Sequence, residues 1–255
     1  MIVLLALDGV CKTFRRGDLR VRVLRDVSLR VDGGEVVGVV GTRGQGKSTL
    51  LRLAAGLERP DEGRVLFDGE DLARVSDGRL SLLLRERIGL AGRGGPGMRL
   101  RMIEYVALPL LLKARRGERE QLRSQALGAL ERVGIAARAG ERWETLSDWD
   151  RALAEIAQAI VALPQLLILD DVTDGLSMRE TENVAALLRG LADETGMGVL
   201  MGLSNSEATL RAQCVHTLFE GRLSTMSDLR GVASNVIRPR GNPWGQGSER
   251  AVRDA

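Results

Sequence analysis

The run Gly41-Thr42-Arg43-Gly44-Gln45-Gly46-Lys47-Ser48-Thr49 fits the pattern G-x-x-x-x-G-K-[ST]. Its residue types suit phosphate chemistry. Glycines let the main chain wrap closely around a triphosphate with its amide N–H groups turned inward. A helix beginning at Lys47 aims the positive end of its dipole at the same anion. Lys47 reaches the β- and γ-phosphates as a compact cation. The Ser48 hydroxyl suits Mg2+, which bridges phosphate oxygens. Lysine occurs only at positions 12, 47 and 113, yet one of the three stands where the pattern needs it. A second acid site lies downstream. Four apolar residues, Leu166-Leu167-Ile168-Leu169, lead into Asp170. A carboxylate ending a strand beside the phosphate loop can hold Mg2+ through a water.

Strands and helices must position these groups. The run EVVGVV (35–40) reads as a buried parallel strand entering the loop. A helical pattern follows from Lys47 to about Leu57, and LLILDD (166–171) reads as a second buried strand. Residues 3–31 carry two strand-like runs around a turn at Arg15-Arg16-Gly17-Asp18, and 63–72 reads as a short hairpin. Apolar residues at helical spacing fill much of 98–162. A helix at about 178–193, a strand at 198–203, another helix, and the paired strands CVHTLFEG and RLSTM complete the pattern. Strands alternating with helices predict a mostly parallel α/β sheet, with the helical block as an insert.

Composition narrows the function classes. Net charge is only +3, and 34 of the 37 basic residues are arginine, which reads as coding bias. No stretch interleaves aromatics with a basic patch, so nucleic-acid binding is not expected. Cys11 and Cys214 match no metal spacing, and a reduced cytosolic protein is the simple reading. MIVLLAL lacks a basic n-region and reads as a first strand rather than a signal peptide. No apolar run reaches the ~18 residues of a membrane span. Any membrane role therefore runs through a partner.

Over residues 5–225 the sequence resembles the ATP-binding subunits of ABC transporters. VCKTF is similar to the family's first strand, and Phe14 holds the place of an aromatic that stacks on adenine; a core residue is the other reading of Phe14. RIGLAGR resembles the strand entering the family's glutamine loop. MIEYVALPLLL resembles the segment after it, especially in the subgroup serving lipoprotein release and macrolide export. TLSDWDRALAEIAQAIVALPQLLILDDVTDGLS runs along the signature helix, the Mg2+-binding strand and the following loop without a gap. The resemblance implies a P-loop NTPase core with an N-terminal antiparallel β-subdomain, covering 1–231 with a helical subdomain at about 93–160. It implies ATP and Mg2+ as cofactors, a transmembrane permease subunit and a second ATP-binding subunit as partners, and a place at the cytoplasmic face of the membrane. Residues 232–255 read as a flexible tail or a peptide that embraces a partner.

In that family two subunits sandwich two ATPs, the phosphate loop of one facing the signature motif of the other. Five pieces differ here. Arg93 stands for the glutamine, and Leu146-Ser147-Asp148-Trp149-Asp150 for Leu-Ser-Gly-Gly-Gln. Asp171 stands for the catalytic glutamate, Ser177 for the next loop's aspartate and Ser204 for the switch histidine. Asp148 and Trp149 deny a partner's γ-phosphate the approach that glycines give. Two like charges ~5 Å apart at an effective dielectric of ~20 repel by about 3 kcal/mol. Ser147 and Asp150 can still cap their helix. Asp171 is one methylene shorter than glutamate, so a water poised for attack lies too far away, and reach precedes pKa in general-base catalysis. His216, the one histidine, lies in a strand pattern and reads as structural. The expected function is an ATP-binding transport subunit with weak or absent hydrolysis. The alternatives are an active ATPase with Asp171 as base, and a pseudo-ATPase scaffold.

Overall fold

Valine fills four of the five positions of β3 (Val36–Val40), and all five are buried. Its side chains alternate between two cores, as a strand covered on both faces requires. Val36 and Val40 point into one cluster, Val37 and Val39 into the other. The neighbouring strands β7 (Leu166–Asp170) and β8 (Gly198–Leu203) alternate the same way, with Leu167, Leu169, Val199 and Met201 on one face and Leu166, Ile168 and Leu200 on the other. Each such side chain taken from water stabilises the fold by about 1.5–3 kcal/mol.

The computed structural model describes residues 3–17, 19–92, 95, 99–111, 119–204 and 214–225. Arg93, the helix expected between 204 and 214, and the segment 232–255 lie outside them.

Two sheets form the framework. The first is antiparallel, in the order β2-β1-β4-β5, from β1 (Val3–Arg16), β2 (Leu19–Asp32), β4 (Glu62–Phe67) and β5 (Glu70–Asp71). The second runs β10-β9-β3-β8-β7-β6, adding β6 (Ile88–Gly92), β9 (Cys214–Phe219) and β10 (Arg222–Thr225). It is parallel except for the β9–β10 hairpin. This is the α/β fold, with its antiparallel subdomain, expected from the sequence.

Helix α1 (Lys47–Ala54) packs Leu50, Leu51, Leu53 and Ala54 into the core shared by the two sheets. It ends three residues short of the predicted Leu57. Gly56 takes a left-handed φ of 72° beside Leu72 and Leu80 and stops it. Helix α2 (Asp77–Glu86), which the sequence reading did not anticipate, starts on Ser76, whose side chain accepts from the Arg79 amide. Helices α3 (Met102–Leu111), α4 (Arg119–Arg132) and α5 (Asp148–Ile160) pack on one another in the other core. Helix α6 (Met178–Thr195) adds Val184, Leu188, Leu191 and Ala192 to the same core at helical spacing.

Candidate functional site

The loop 41–46 leaves the end of β3 and enters α1. Gly41 donates to the Leu203 carbonyl at 3.2 Å, and a Cβ on Gly41 would lie 2.8 Å from the Leu218 carbonyl oxygen. Gly44 and Gly46 hold φ of 84° and 103°, values that side-chain-bearing residues adopt only under strain. Gly46 sits against β2, where a Cβ would meet Val23 Cγ1 at 2.8 Å. As the N-cap of α1 it has no side-chain capping bond. Among the described residues, the amides of Gly46, Lys47 and Ser48 have no hydrogen-bond acceptor. The helix thus presents open donors and the positive end of its dipole at the concave side of the loop.

Lys47 is 5% exposed. Its Nζ donates to the Gly41 carbonyl at 2.8 Å and to Ser204 Oγ at 3.2 Å, and lies 3.8 Å from Asp171 Oδ1. Ser48 Oγ donates to Asp170 Oδ1 at 3.0 Å, across 122 residues of sequence. Burial holds the Asp170 carboxyl above the usual aspartate range, the Ser48 hydrogen bond opposing it. A hydroxyl and a carboxylate in contact, with only oxygen donors, fit a hard cation such as Mg2+. Gln45 turns outward to accept from the Glu220 amide at 2.9 Å, which fastens the β9–β10 turn to the loop. Thr42 and Arg43 are exposed and Thr49 is half-buried.

Phe14 is 39% exposed, so the core alternative does not hold. Its ring lies 5.4 Å from Lys12 Nζ, and it pairs with Val21, two residues from the Val23 that covers Gly46. The ring therefore stands on the hairpin that backs the phosphate loop.

Asp171 has a left-handed φ of 49°, and its Oδ1 accepts from Ser204 Oγ at 2.9 Å. Asp171 and Ser204 are thus bonded to each other and gathered round Lys47. Nothing in the local sequence marks the two as partners. Ser177 caps α6 in a full capping box with Glu180. The serine there serves the start of the helix.

The turn 146–150 is built differently. Ser147 Oγ accepts from the Asp150 amide at 3.1 Å and donates to the Asp150 carboxylate. Asp150 is 3% exposed and also bonded to Arg138, which in turn holds Glu141. Trp149 packs against the helical core. Asp148 is exposed, and Arg151 at 3.6 Å offsets part of its charge, which reduces the repulsion expected from sequence. His216 is buried on β9, its Nε2 3.3 Å from Cys214 Sγ, and it pairs with Val39 as a strand residue.

One contact escaped sequence reading altogether. Arg43 Nη2 donates to Asp174 Oδ2 at 2.6 Å, joining the phosphate loop to the β7–α6 connection. The only available signal was the acid-rich run Asp170-Asp171-Val172-Thr173-Asp174.

Comparisons with known proteins converge. Residues 24–174 match the family described as ABC transporter. The lipoprotein-releasing system ATP-binding protein LolD of Shewanella sp. (strain MR-7) is 32% identical over 227 residues, 89% of this chain and 97% of that protein. LolD of Shewanella oneidensis is 33% identical over 222 residues, 87% and 96% of the two chains. Among solved structures, the dimeric, post-hydrolysis ATP-binding cassette MJ0796 bound to ADP and Pi is 27% identical. It superposes with a TM-score of 0.78 over 87% of this chain and 98% of its own. The cbiO1 subunit from Clostridium perfringens shares the fold, with a TM-score of 0.78 at 24% identity over 92% of each chain.

Proposed function

The chain belongs to the ABC transporter family as an ATP-binding subunit of a transporter complex, and we propose that it uses ATP binding as a switch with slow or absent hydrolysis. Cassettes of this family bind ATP, dimerise and work with transmembrane permease subunits. Among the described residues no helix is long and apolar enough to cross a membrane, so contact with the bilayer runs through such a partner at its cytoplasmic face. The LolD relatives are ATP-binding proteins of lipoprotein-releasing systems, which points to an export complex. Residues 1–231 form the ATP-binding domain in this reading, with a helical subdomain at about 93–160 and a tail at 232–255.

The amides of 41–49 would line the triphosphate, with Lys47 turning its ammonium from Gly41 and Ser204 to the phosphate oxygens. Phe14 offers its exposed ring to the adenine. Ser48 and Asp170 would hold Mg2+, Asp170 through a water. When bound, Mg2+ neutralises charge shared between phosphate oxygens.

The observation that carries the switch reading is the Asp171 carboxylate, held by Ser204 and drawn toward Lys47. A general base must reach the proton it takes, and this one is engaged within its own chain. Calorimetry on the full chain should register Mg-ATP binding. Steady-state turnover should sit near background and stay there in Asp171→Ala. Brisk turnover that Asp171→Ala abolishes would make Asp171 the base and end this reading.

A further inference from the structure

Arg43 is a cation inside a loop built to receive a polyanion, and its side chain is 81% exposed. It turns to Asp174, on the connection that follows the strand ending at Asp170. Lys47, four residues on, lies 3.8 Å from Asp171 on that same connection. Both side-chain cations of the phosphate loop are thus matched to carboxylates from one short segment. That segment is held at its far end by Ser177, which caps α6, along its length by Val172 and Leu176 against the helical core, and by two local turns. In these the Asp174 amide donates to the Asp171 carbonyl at 3.0 Å and the Leu176 amide to the Thr173 carbonyl at 3.1 Å.

Building on the nucleotide-binding reading, we propose that Asp174 is a positioning residue, an internal counter-ion held by Arg43 while the site is empty and displaced when a triphosphate arrives. Filling the site and releasing the β7–α6 connection then become one event. The physical ground is competition for a cation. A carboxylate carries one negative charge, a triphosphate several, and a guanidinium suits phosphate oxygens as well as it suits a carboxylate. An exposed ion pair is worth little, so it yields readily to the stronger anion. Space for the move is present. Asp174, Asp148 and Arg151 line a common cavity of about 400 Å3 between the connection and the start of α5. Release of Asp174 would therefore be felt at the turn that replaces the family's signature motif.

Calorimetry with Mg-ATP on the full chain, Asp174→Asn, Arg43→Ala and the double variant tests this. Removing the competitor should tighten Mg-ATP binding by about two- to fivefold in Asp174→Asn, the range expected for an exposed pair. The gain should vanish when Arg43 is already alanine. A second measurement needs no variant: hydrogen exchange at the amides of 174 and 176 should quicken when Mg-ATP is added to the native chain. Unchanged affinity in Asp174→Asn, an equal gain with and without Arg43, or slower exchange on adding Mg-ATP each overturns the counter-ion role and leaves nucleotide binding intact. No Mg-ATP binding by the native chain removes the nucleotide reading and this one with it.

Discussion

Helices α1 and α5 have opposite first turns. The N-terminus of α1 is a left-handed glycine with no capping side chain and no acid in the first turn. The N-terminus of α5 is capped by Ser147 and carries Asp148 and Asp150 in its first turn. A helix end concentrates roughly half a positive charge, which either an external anion or the chain's own carboxylates can satisfy. At α1 the charge is left for a ligand. At α5 it is consumed internally, with Arg138 holding the buried Asp150 in place. Capping chemistry, and not the mere presence of a helix end, distinguishes the start with open donors from the start whose charge is met within the chain.

Four experiments press on that contrast, beginning with the most severe. Lys47→Ala removes the ammonium that backs the open amides and should weaken Mg-ATP binding at least about a hundredfold by calorimetry, as loss of a buried charged partner does. Retained affinity would show that the amides alone suffice. Gly46→Ala forces a side chain into φ 103° against Val23 and should destabilise the fold by about 1–3 kcal/mol in thermal or denaturant unfolding. An unaltered melting curve would mean that the α1 end is not held as described. Ser147→Ala strips the cap of α5 and should lower stability by about 1 kcal/mol while leaving the Mg-ATP dissociation constant unchanged. A shift in that constant would tie the two helix ends together.

The mildest effect concerns pH. Burial raises the Asp170 carboxyl above the ordinary aspartate value of 3.8, so the folded site accepts a proton more readily than the unfolded chain. This group's contribution to stability is therefore present at acid pH and lost as pH rises through the raised value. Cation binding runs the other way, because protonated Asp170 offers no negative charge to Mg2+. Mg-ATP affinity should start to fall, on acidification, at a higher pH than an ordinary aspartate would produce. Asp170→Asn should lack that acid limb. An identical limb in both proteins would assign the titration elsewhere.

The elements that carry strong local signals were legible in the sequence. The valine run of β3, the loop glycines, Lys47 and the LLILD strand could each be placed from composition and period, because burial on both faces of a parallel strand leaves little choice of residue. Helix α2 escaped notice because Leu83 is its one buried residue and its apolar stripe is weak. The early end of α1 is set by Gly56 in the left-handed conformation, with the Leu57 amide turned back to the Arg52 carbonyl, a local stop that the helical pattern running on to Leu57 obscured. The site's chemistry divides in the same way. The loop 41–49 is contiguous and readable. The bonds Ser48–Asp170, Ser204–Asp171 and Arg43–Asp174 join residues far apart in the chain, and no local spacing encodes them. The substitutions at 171 and 204 could be seen as departures from the family, but not as partners.

The place of β3 in its sheet bears on how the protein is born. That strand is made early, yet its neighbours on either side are β8 and β9, which emerge only after residue 198. The β9–β10 turn then fastens to Gln45 through Glu220 and to β2 through the Arg25 amide and the Gly221 carbonyl. A nascent chain on the ribosome therefore carries its phosphate loop, until β8 and β9 emerge, without the walls that shape it. Pairings across so long a separation form late. Competence to hold ATP should arrive only once β8, β9 and β10 have been made, and until then β3 is an apolar strand with two open edges that chaperones have reason to cover.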